Sequence, residues 1–166
     1  NRIRISSIEP NLLTDEIIEF CNLSKKLMPH FHIPLQSGSD KILKAMRRRY
    51  DKKFYQNRIK KIKDTNQDTC IGVDVIVGFP GESKEDFLET YNFLIELDIT
   101  YLHVFSYSER ADTNAIKLDE KVSKSDKSKR SKMLHILSEK KKHSFYNNFI
   151  NKKRPILFEG LRNGFL

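Results

Sequence analysis

The sequence predicts an α/β protein built on parallel strands, and three observations carry that expectation. The stretch Gly72-Val73-Asp74-Val75-Ile76-Val77 is β-branched and mostly apolar, the composition of a strand buried on both faces of a parallel sheet. It runs directly into Gly78-Phe79-Pro80-Gly81-Glu82, a tight turn, and then into Ser83-Lys84-Glu85-Asp86, a serine-to-acid helix start. Strand, turn and helix alternate in the same way on both sides of this unit, which requires crossover connections between parallel strands. Four such strands make half of a (β/α)8, TIM-like barrel, or else an open sheet.

Taken in order, residues 2–6 alternate as a short strand and run into Ser6-Ser7-Ile8-Glu9-Pro10, a polar exit with a breaker. A helix starts near Thr14 with Asp15 and Glu16 in its first turn, and Pro29 is expected to close it. Phe31-His32-Ile33-Pro34-Leu35 reads as the second strand and Gln36-Ser37-Gly38-Ser39-Asp40 as its exit. Ser39 or Asp40 caps the next helix, with Ile42, Leu43 and Met46 inward and Lys41, Lys44, Arg47 and Arg48 on the other face. Asp51 starts a further helix whose stripe is Phe54, Tyr55, Ile59 and Ile62. After the central unit, with Phe87, Tyr91 and Leu94 at helical spacing, Tyr101-Leu102-His103-Val104-Phe105 is the fourth strand. Ser106-Tyr107-Ser108-Glu109-Arg110 is its exit, and a lysine-rich helix follows from about 125 to 150. The main domain is placed at 1–150. A small β module starts at 151–166, where Arg162-Asn163-Gly164-Phe165 signals a hairpin. Both ends read as cut, so the chain is expected to be a piece of a longer polypeptide, with two sheet edges exposed unless something covers them.

The totals exclude several classes. The chain has 166 residues, 38% hydrophobic and 32% charged, which suits one main core. It contains no apolar run long enough to span a bilayer, so no membrane partner is expected. Two distant cysteines, Cys21 and Cys70, share no metal-ligand spacing, and a reducing cytoplasm is the expected location. Net charge is +9, and residues 117–154 carry thirteen Lys/Arg against four Asp/Glu. Excess charge so localised is the footprint of a polyanion such as RNA, or else of a solvated lysine-rich helix.

The candidate site lies at the strand ends, because ligands of α/β folds bind at the carboxyl ends of the strands. Four clusters are expected along one rim: Ser6, Ser7 and Glu9; Gln36 and Ser37; Gly78 to Glu82; and Ser106, Ser108 and Arg110. Together they suit a ligand with hydroxyls, an amine, a carboxylate and a flat apolar part. Glu9 and Gln36 would meet its polar groups, Gly78 would admit it to the backbone, and Ile76 or Phe105 would cover a ring. No Ser/His/Asp or Cys/His arrangement is suggested by spacing. His30 and His32 fall on one strand face, in packing or solvent, and His103 reads as a satisfied core histidine. No residue is singled out as catalytic and none as a metal ligand.

Several of these stretches resemble one family in its own order. They are Arg4-Ile5-Ser6-Ser7-Ile8-Glu9-Pro10, His32-Ile33-Pro34-Leu35-Gln36-Ser37-Gly38-Ser39 with Arg48-Arg49-Tyr50, Asp74-Val75-Ile76-Val77-Gly78-Phe79-Pro80-Gly81-Glu82, and Phe105-Ser106-Tyr107-Ser108-Glu109-Arg110. The family is the radical S-adenosylmethionine methylthiotransferases, and the branch it looks most like acts on tRNA N6-threonylcarbamoyladenosine beside the anticodon. The resemblance implies half of a radical SAM barrel and insertion of a methylthio group at an adenine carbon. It implies S-adenosylmethionine and two 4Fe–4S clusters as cofactors, with tRNA and a reducing system as partners. By the same resemblance, Ser7, Glu9, Gln36, Ser37, Ile76 and Gly78 would meet the cofactor; Phe105 joins them from its place at the strand end, and Arg48 and Arg110 are expected on the substrate. The superfamily's Gly-x-Ile-x-Gly-x-x-Glu pattern is met imperfectly, with Asp74 at the first glycine and Gly81 at the glutamate. The Cys-x-x-x-Cys-x-x-Cys loop that ligates the radical-generating cluster is not in this chain, which alone is expected to be inactive.

Two alternatives stand beside that reading. One is a methylthiotransferase acting on isopentenyladenosine tRNA or on ribosomal protein S12. The other is a non-catalytic basic RNA-binding module, whose affinity would fall steeply with salt and ignore S-adenosylmethionine.

Overall fold

The apolar run becomes β2 (Cys70–Val77), the middle strand of a three-stranded parallel sheet. This computed structural model of the protein describes residues 2–109 and 121–154. β1 (His30–His32) pairs on one side of β2, His32 opposite Gly72, and β3 (Tyr101–Ser106) on the other, from Gly72–Tyr101 to Val77–Ser106. Spatial order follows chain order, so each βα unit lays its strand beside the last, as in a growing barrel.

The expected first strand does not form a regular element. Residues 2–8 instead run alongside, tied by parallel bridges from Ile3 to Leu27 and from Ser7 to His32. The Ile8 amide donates to the His32 carbonyl at 3.0 Å. Arg2, Ile3 and Arg4 are exposed, so this segment gains little from burial and touches the sheet only intermittently. It still occupies the fourth-strand position and covers the free edge of β1.

The helices follow the caps written in the sequence. α1 (Asp15–Leu23) starts at Thr14, whose hydroxyl accepts from the Ile17 amide. It ends six residues before Pro29, because the Ser24 hydroxyl accepts from the Lys26 and Leu27 amides and turns the chain. α2 (Asp40–Ala45) is short, with Ile42 and Leu43 buried. α3 (Lys52–Thr65) is capped by Asp51, which accepts from the Phe54 amide at 2.7 Å. Tyr55, Ile59 and Ile62 bury its apolar stripe, while Phe54 turns out to solvent against Arg58. α4 (Lys84–Glu96) opens with a full capping box between Ser83 and Asp86. α5 (Lys124–Asn147) packs on β3.

The core lies between these helices and one face of the sheet. Ile71, Val73, Val75 and Val77 are fully buried there, with Leu94 of α4 and Leu134 of α5. The alternate residues Asp74 and Ile76 are only partly covered, so β2 is buried on one face rather than two. The opposite, open face is where the site is built.

The outer edge of β3 is covered as well. The Tyr107 amide donates to the Val77 carbonyl, so odd-numbered residues of β3 bond to β2 and Leu102 turns away from it. The Ser138 hydroxyl of α5 accepts from the Leu102 amide at 2.8 Å and donates to its carbonyl at 3.2 Å. One side chain thus closes the ladder where a neighbouring strand would otherwise pair.

Candidate functional site on the open face of the sheet

In-register residues of a parallel sheet share a face, so the pairings above fix what lines the open side. His32, Gly72 and Tyr101 form one row, Asp74 and His103 the next, and Ile76 and Phe105 the last before the turn. Ser7 joins the first row through its bridge to His32. The strand exits are stepped along the sheet. Ser7 sits level with Gly72, Gln36 with Val75, and Gly78 beyond both. At about 3.3 Å per residue, the first and last rows are roughly 13 Å apart along β2. Stagger of this kind accompanies the tilt of barrel strands.

The lower rows are polar. His32 Nε2 lies 2.7 Å from Asp74 Oδ1, and His32 Nδ1 lies 3.2 Å from the Ser7 hydroxyl. A Ser–His–Asp line is therefore present, contrary to the expectation from spacing. Its members are 25 and 42 residues from His32 along the chain, and only the strand register brings them together. With Asp74 accepting from Nε2–H, the neutral imidazole leaves Nδ1 to accept from Ser7. The aspartate thus fixes ring orientation and tautomer, and the line can hold or pass one proton.

His103 is exposed, not a core residue, with its ring 5.1 Å from His32 and tilted against it. It sits on the open face because it is in register with Asp74. His30 lies below, its Nε2 3.0 Å from the Tyr101 hydroxyl. Burial first, then the charges of Arg4 and His32, lowers its pKa to about 4, so His30 is neutral at physiological pH. A Cβ on Gly72 would fall 2.4 Å from the far end of the Tyr101 ring that lies across it, which would then have to shift.

The upper row is apolar and open. Ile76 is half-buried and Phe105 is 54% exposed beside it, an aromatic face left to solvent at the end of a core strand. Next to them, Gly78 adopts φ +76°, and a Cβ there would meet Lys127 Cγ at 2.4 Å. Lys127 crosses the turn and donates to the Tyr107 carbonyl at 3.1 Å, its ammonium 5.3 Å from the Tyr107 ring centre.

The turn is closed from inside by Glu82, a role the sequence did not disclose. Its Oε2 accepts from the Gly78 amide at 2.7 Å and from Arg130 of α5, while Oε1 is buried without a partner. Burial pushes the Glu82 carboxyl above its usual range, against the pull of the Gly78 amide and of Arg130.

The other predicted residues divide. Gln36 takes φ +73°, and its backbone bonds β2 on both sides: its amide donates to the Asp74 carbonyl, and its carbonyl accepts from Ile76. Ser37 is fully buried, its hydroxyl 3.1 Å from Thr90 and accepting from the Ser39 amide, so it packs α4 and presents no polar group at the rim. Ser39 heads α2 without capping it; its hydroxyl donates to Asp86. Glu9 and Arg48, expected on cofactor and substrate respectively, pair with each other at 2.9 Å. Arg110 lies outside the described residues, as do residues 155–166 with the expected hairpin.

An iron–sulfur cluster does not fit the thiols present. Cys21 is buried in the core beside Ile18, and Cys70 begins β2. Burial pushes both thiols above their usual value, opposite to the thiolate a metal requires. Among the described residues no three His, Cys, Asp or Glu side chains could hold a metal together, and no helix is long and apolar enough to cross a membrane. The apolar row does fit a flat ring, and the polar rows beneath it fit hydroxyl or amine groups.

Comparison with known proteins agrees with this architecture. Threonylcarbamoyladenosine tRNA methylthiotransferase MtaB of Bacillus subtilis (strain 168) is 43% identical over 95% of this chain and 35% of its own length. The MtaB of Aquifex aeolicus (strain VF5) is 42% identical over 87% of this chain and 35% of its own. The tRNA-2-methylthio-N(6)-dimethylallyladenosine synthase of Endomicrobium trichonymphae is 36% identical over 99% of this chain and 40% of its own. The chain thus spans little more than a third of the length of these curated relatives. Among solved structures, coproporphyrinogen III oxidase (HemN) from Escherichia coli, described as a radical SAM enzyme, superposes with a TM-score of 0.63. It is 16% identical and is matched over 89% of this chain and 32% of its own, a likeness of fold. Residues 1–94, from the bridged first segment through the turn at Gly78 and into α4, match the family described as the Radical SAM superfamily, and to that superfamily this chain belongs.

Proposed function

We propose that this chain is the part of a tRNA-modifying methylthiotransferase that receives the nucleoside end of S-adenosylmethionine. The whole protein then inserts a methylthio group at C2 of N6-threonylcarbamoyladenosine next to the anticodon. The observation that carries the reading is the open apolar row: Ile76 and Phe105 in register, beside the Gly78 turn, at the carboxyl end of the sheet. The names of the two MtaB relatives, more similar than the dimethylallyladenosine synthase at 36%, favour threonylcarbamoyladenosine as the substrate.

S-adenosylmethionine with an iron–sulfur cluster supplies a radical able to break an unactivated C–H bond, which acid–base chemistry at an adenine carbon does not achieve. Two clusters, a reducing system and a cytoplasmic location belong to the same proposal, with the cluster ligands drawn from outside this chain. Within the chain, Ile76 and Phe105 would cover the adenine ring and exclude water from it. The Gln36 amide side chain would bond polar groups of the cofactor. Ser7, His32 and Asp74 hold a proton at His32 and stand below the apolar row, where a hydroxyl or amine would be oriented. Glu9 and Arg48, a half-exposed pair, can open to a substrate carboxylate such as that of the threonyl group.

The test is the modified nucleoside itself. In cells whose gene for this protein is deleted, and which hold no second such enzyme, mass spectrometry of digested tRNA should show threonylcarbamoyladenosine without its 2-methylthio form. Restoring the gene should restore the modification. Unchanged 2-methylthio-threonylcarbamoyladenosine in the deletion strain would overturn the assignment.

A further inference from the structure

Of the eight Lys/Arg on α5, four are held by partners, three of them against the fold. Arg130 is buried on Glu82, Lys127 is bonded to the Tyr107 carbonyl, and Lys141 donates to the Ile95 and Leu97 carbonyls at the end of α4. Lys142 pairs with Glu139, and Arg154 with Asp68. The others are Lys129 and Lys140, exposed on the helix, and one stripe, Lys124, Ser128, Lys132 and His135, spaced three or four residues apart along one side of it.

That stripe forms one wall of an open groove of about 540 Å³, whose other wall includes Ser106 at the end of β3. No carboxylate among the described residues lines it. The groove meets the apolar row at the rim, because Lys127 lines it while its stem lies over Gly78, the turn that follows Ile76 and Val77. Cations and hydroxyls without acids suit an anion with several oxygens, and two lysines about two turns apart suit two phosphates of one backbone better than a single phosphate.

We propose that this groove seats the phosphodiester backbone of the RNA substrate, flanking the nucleoside that enters over Ile76 and Phe105. The proposal rests on the functional reading above and specifies where the RNA lies on this chain. An RNA base drawn out of its stack keeps its own phosphates within one nucleotide of the ring, so the backbone must pass close to the apolar row. On this chain the described surface next to that row that is cationic and free of acids is the groove along α5.

The test measures binding of a fluorescently labelled anticodon-arm RNA to the protein over a range of salt. The double variant Lys124→Gln/Lys132→Gln should bind about tenfold more weakly at low salt, and its log–log salt slope should fall by roughly 1 to 2. Lys124→Arg/Lys132→Arg should recover most of the affinity. Lys25→Gln/Lys26→Gln, exposed before β1 at the opposite end of the sheet, should change it less than twofold. S-adenosylhomocysteine binding, measured in parallel, separates the two claims. A double variant that still binds S-adenosylhomocysteine as the parent does, but with RNA affinity and slope unchanged, would overturn the groove and leave the cofactor reading standing. Loss of RNA binding equal to that of the Lys25/Lys26 control would overturn it as well. So would RNA displaced from parent and double variant alike by inorganic phosphate, which would mark a free-phosphate site instead. A parent that binds RNA in the groove but no S-adenosylhomocysteine would refute the cofactor reading alone.

Discussion

Replacing Arg130 by methionine is expected to destabilise the protein by about 3–5 kcal/mol at pH 7, because it leaves a buried carboxylate without its counter-charge. The Glu82 side chain is 1% exposed, and one of its oxygens already lacks a partner. Methionine keeps much of the arginine stem, so packing on Phe87, whose ring centre lies 5.4 Å from the guanidinium carbon, is largely retained. The loss should depend on pH in a defined sense. Glu82 is already raised by burial above its usual 4.5, and removing Arg130 takes away one of the groups pulling it down. A carboxyl whose folded pKa exceeds its unfolded one carries no ionisation penalty below the unfolded value, and the penalty grows as pH rises through the folded value. The gap between variant and parent should therefore shrink from pH 7 toward pH 4.5 in urea unfolding. The double variant Glu82→Gln/Arg130→Met should regain part of the loss at pH 7. A gap that widens on acidification would show that Glu82 is not the charge left behind.

The second large effect is expected at Leu134. This residue is completely buried where α5 lies on β3, whereas Ile136 on the same helix is 49% exposed. Leu134→Ala should cost about 2–5 kcal/mol, from lost transfer energy plus the cavity left behind. Ile136→Ala should cost under about 1 kcal/mol. The contrast matters because α5, read from composition, is a lysine-rich helix that could stand free in solvent. In the fold it is anchored by Leu134, by Ser138 on the β3 edge and by Arg130 on Glu82. Equal and small effects at both positions, measured as shifts in urea midpoint, would return α5 to the status of a solvated arm.

The parts of this structure that were legible in the sequence are those encoded locally. Asp51 and Ser83 announce their helices because a cap and its target amide lie within three residues. The run 70–77 announces a core strand because burial demands apolar side chains wherever the helices cover it. The features that escaped are those set by register and by long-range pairing. Ser7, His32 and Asp74 form a line only because two parallel neighbours bring them level, and no local spacing records that. His103 reads as a core residue within an apolar strand, yet alternation places it on the open face with Asp74. Glu82 and Arg130, 48 residues apart, meet because α5 returns over the turn. Residues 2–6 alternate like a strand, but exposed arginines and contact with a single neighbour leave only bridges. Ile76 and Phe105 each stand near the end of an apolar run, but only the register sets them side by side on the open face.

The nucleoside of S-adenosylmethionine should lie over Ile76 and Phe105. Hydrogen exchange of the protein with and without S-adenosylhomocysteine tests this most directly. The ligand should slow exchange in peptides covering 74–79 and 103–107, leave the outer face of α1 unchanged, and lose its effect in Phe105→Ala. Protection confined to the outer helices, or protection at the strand ends that survives Phe105→Ala undiminished, would contradict it.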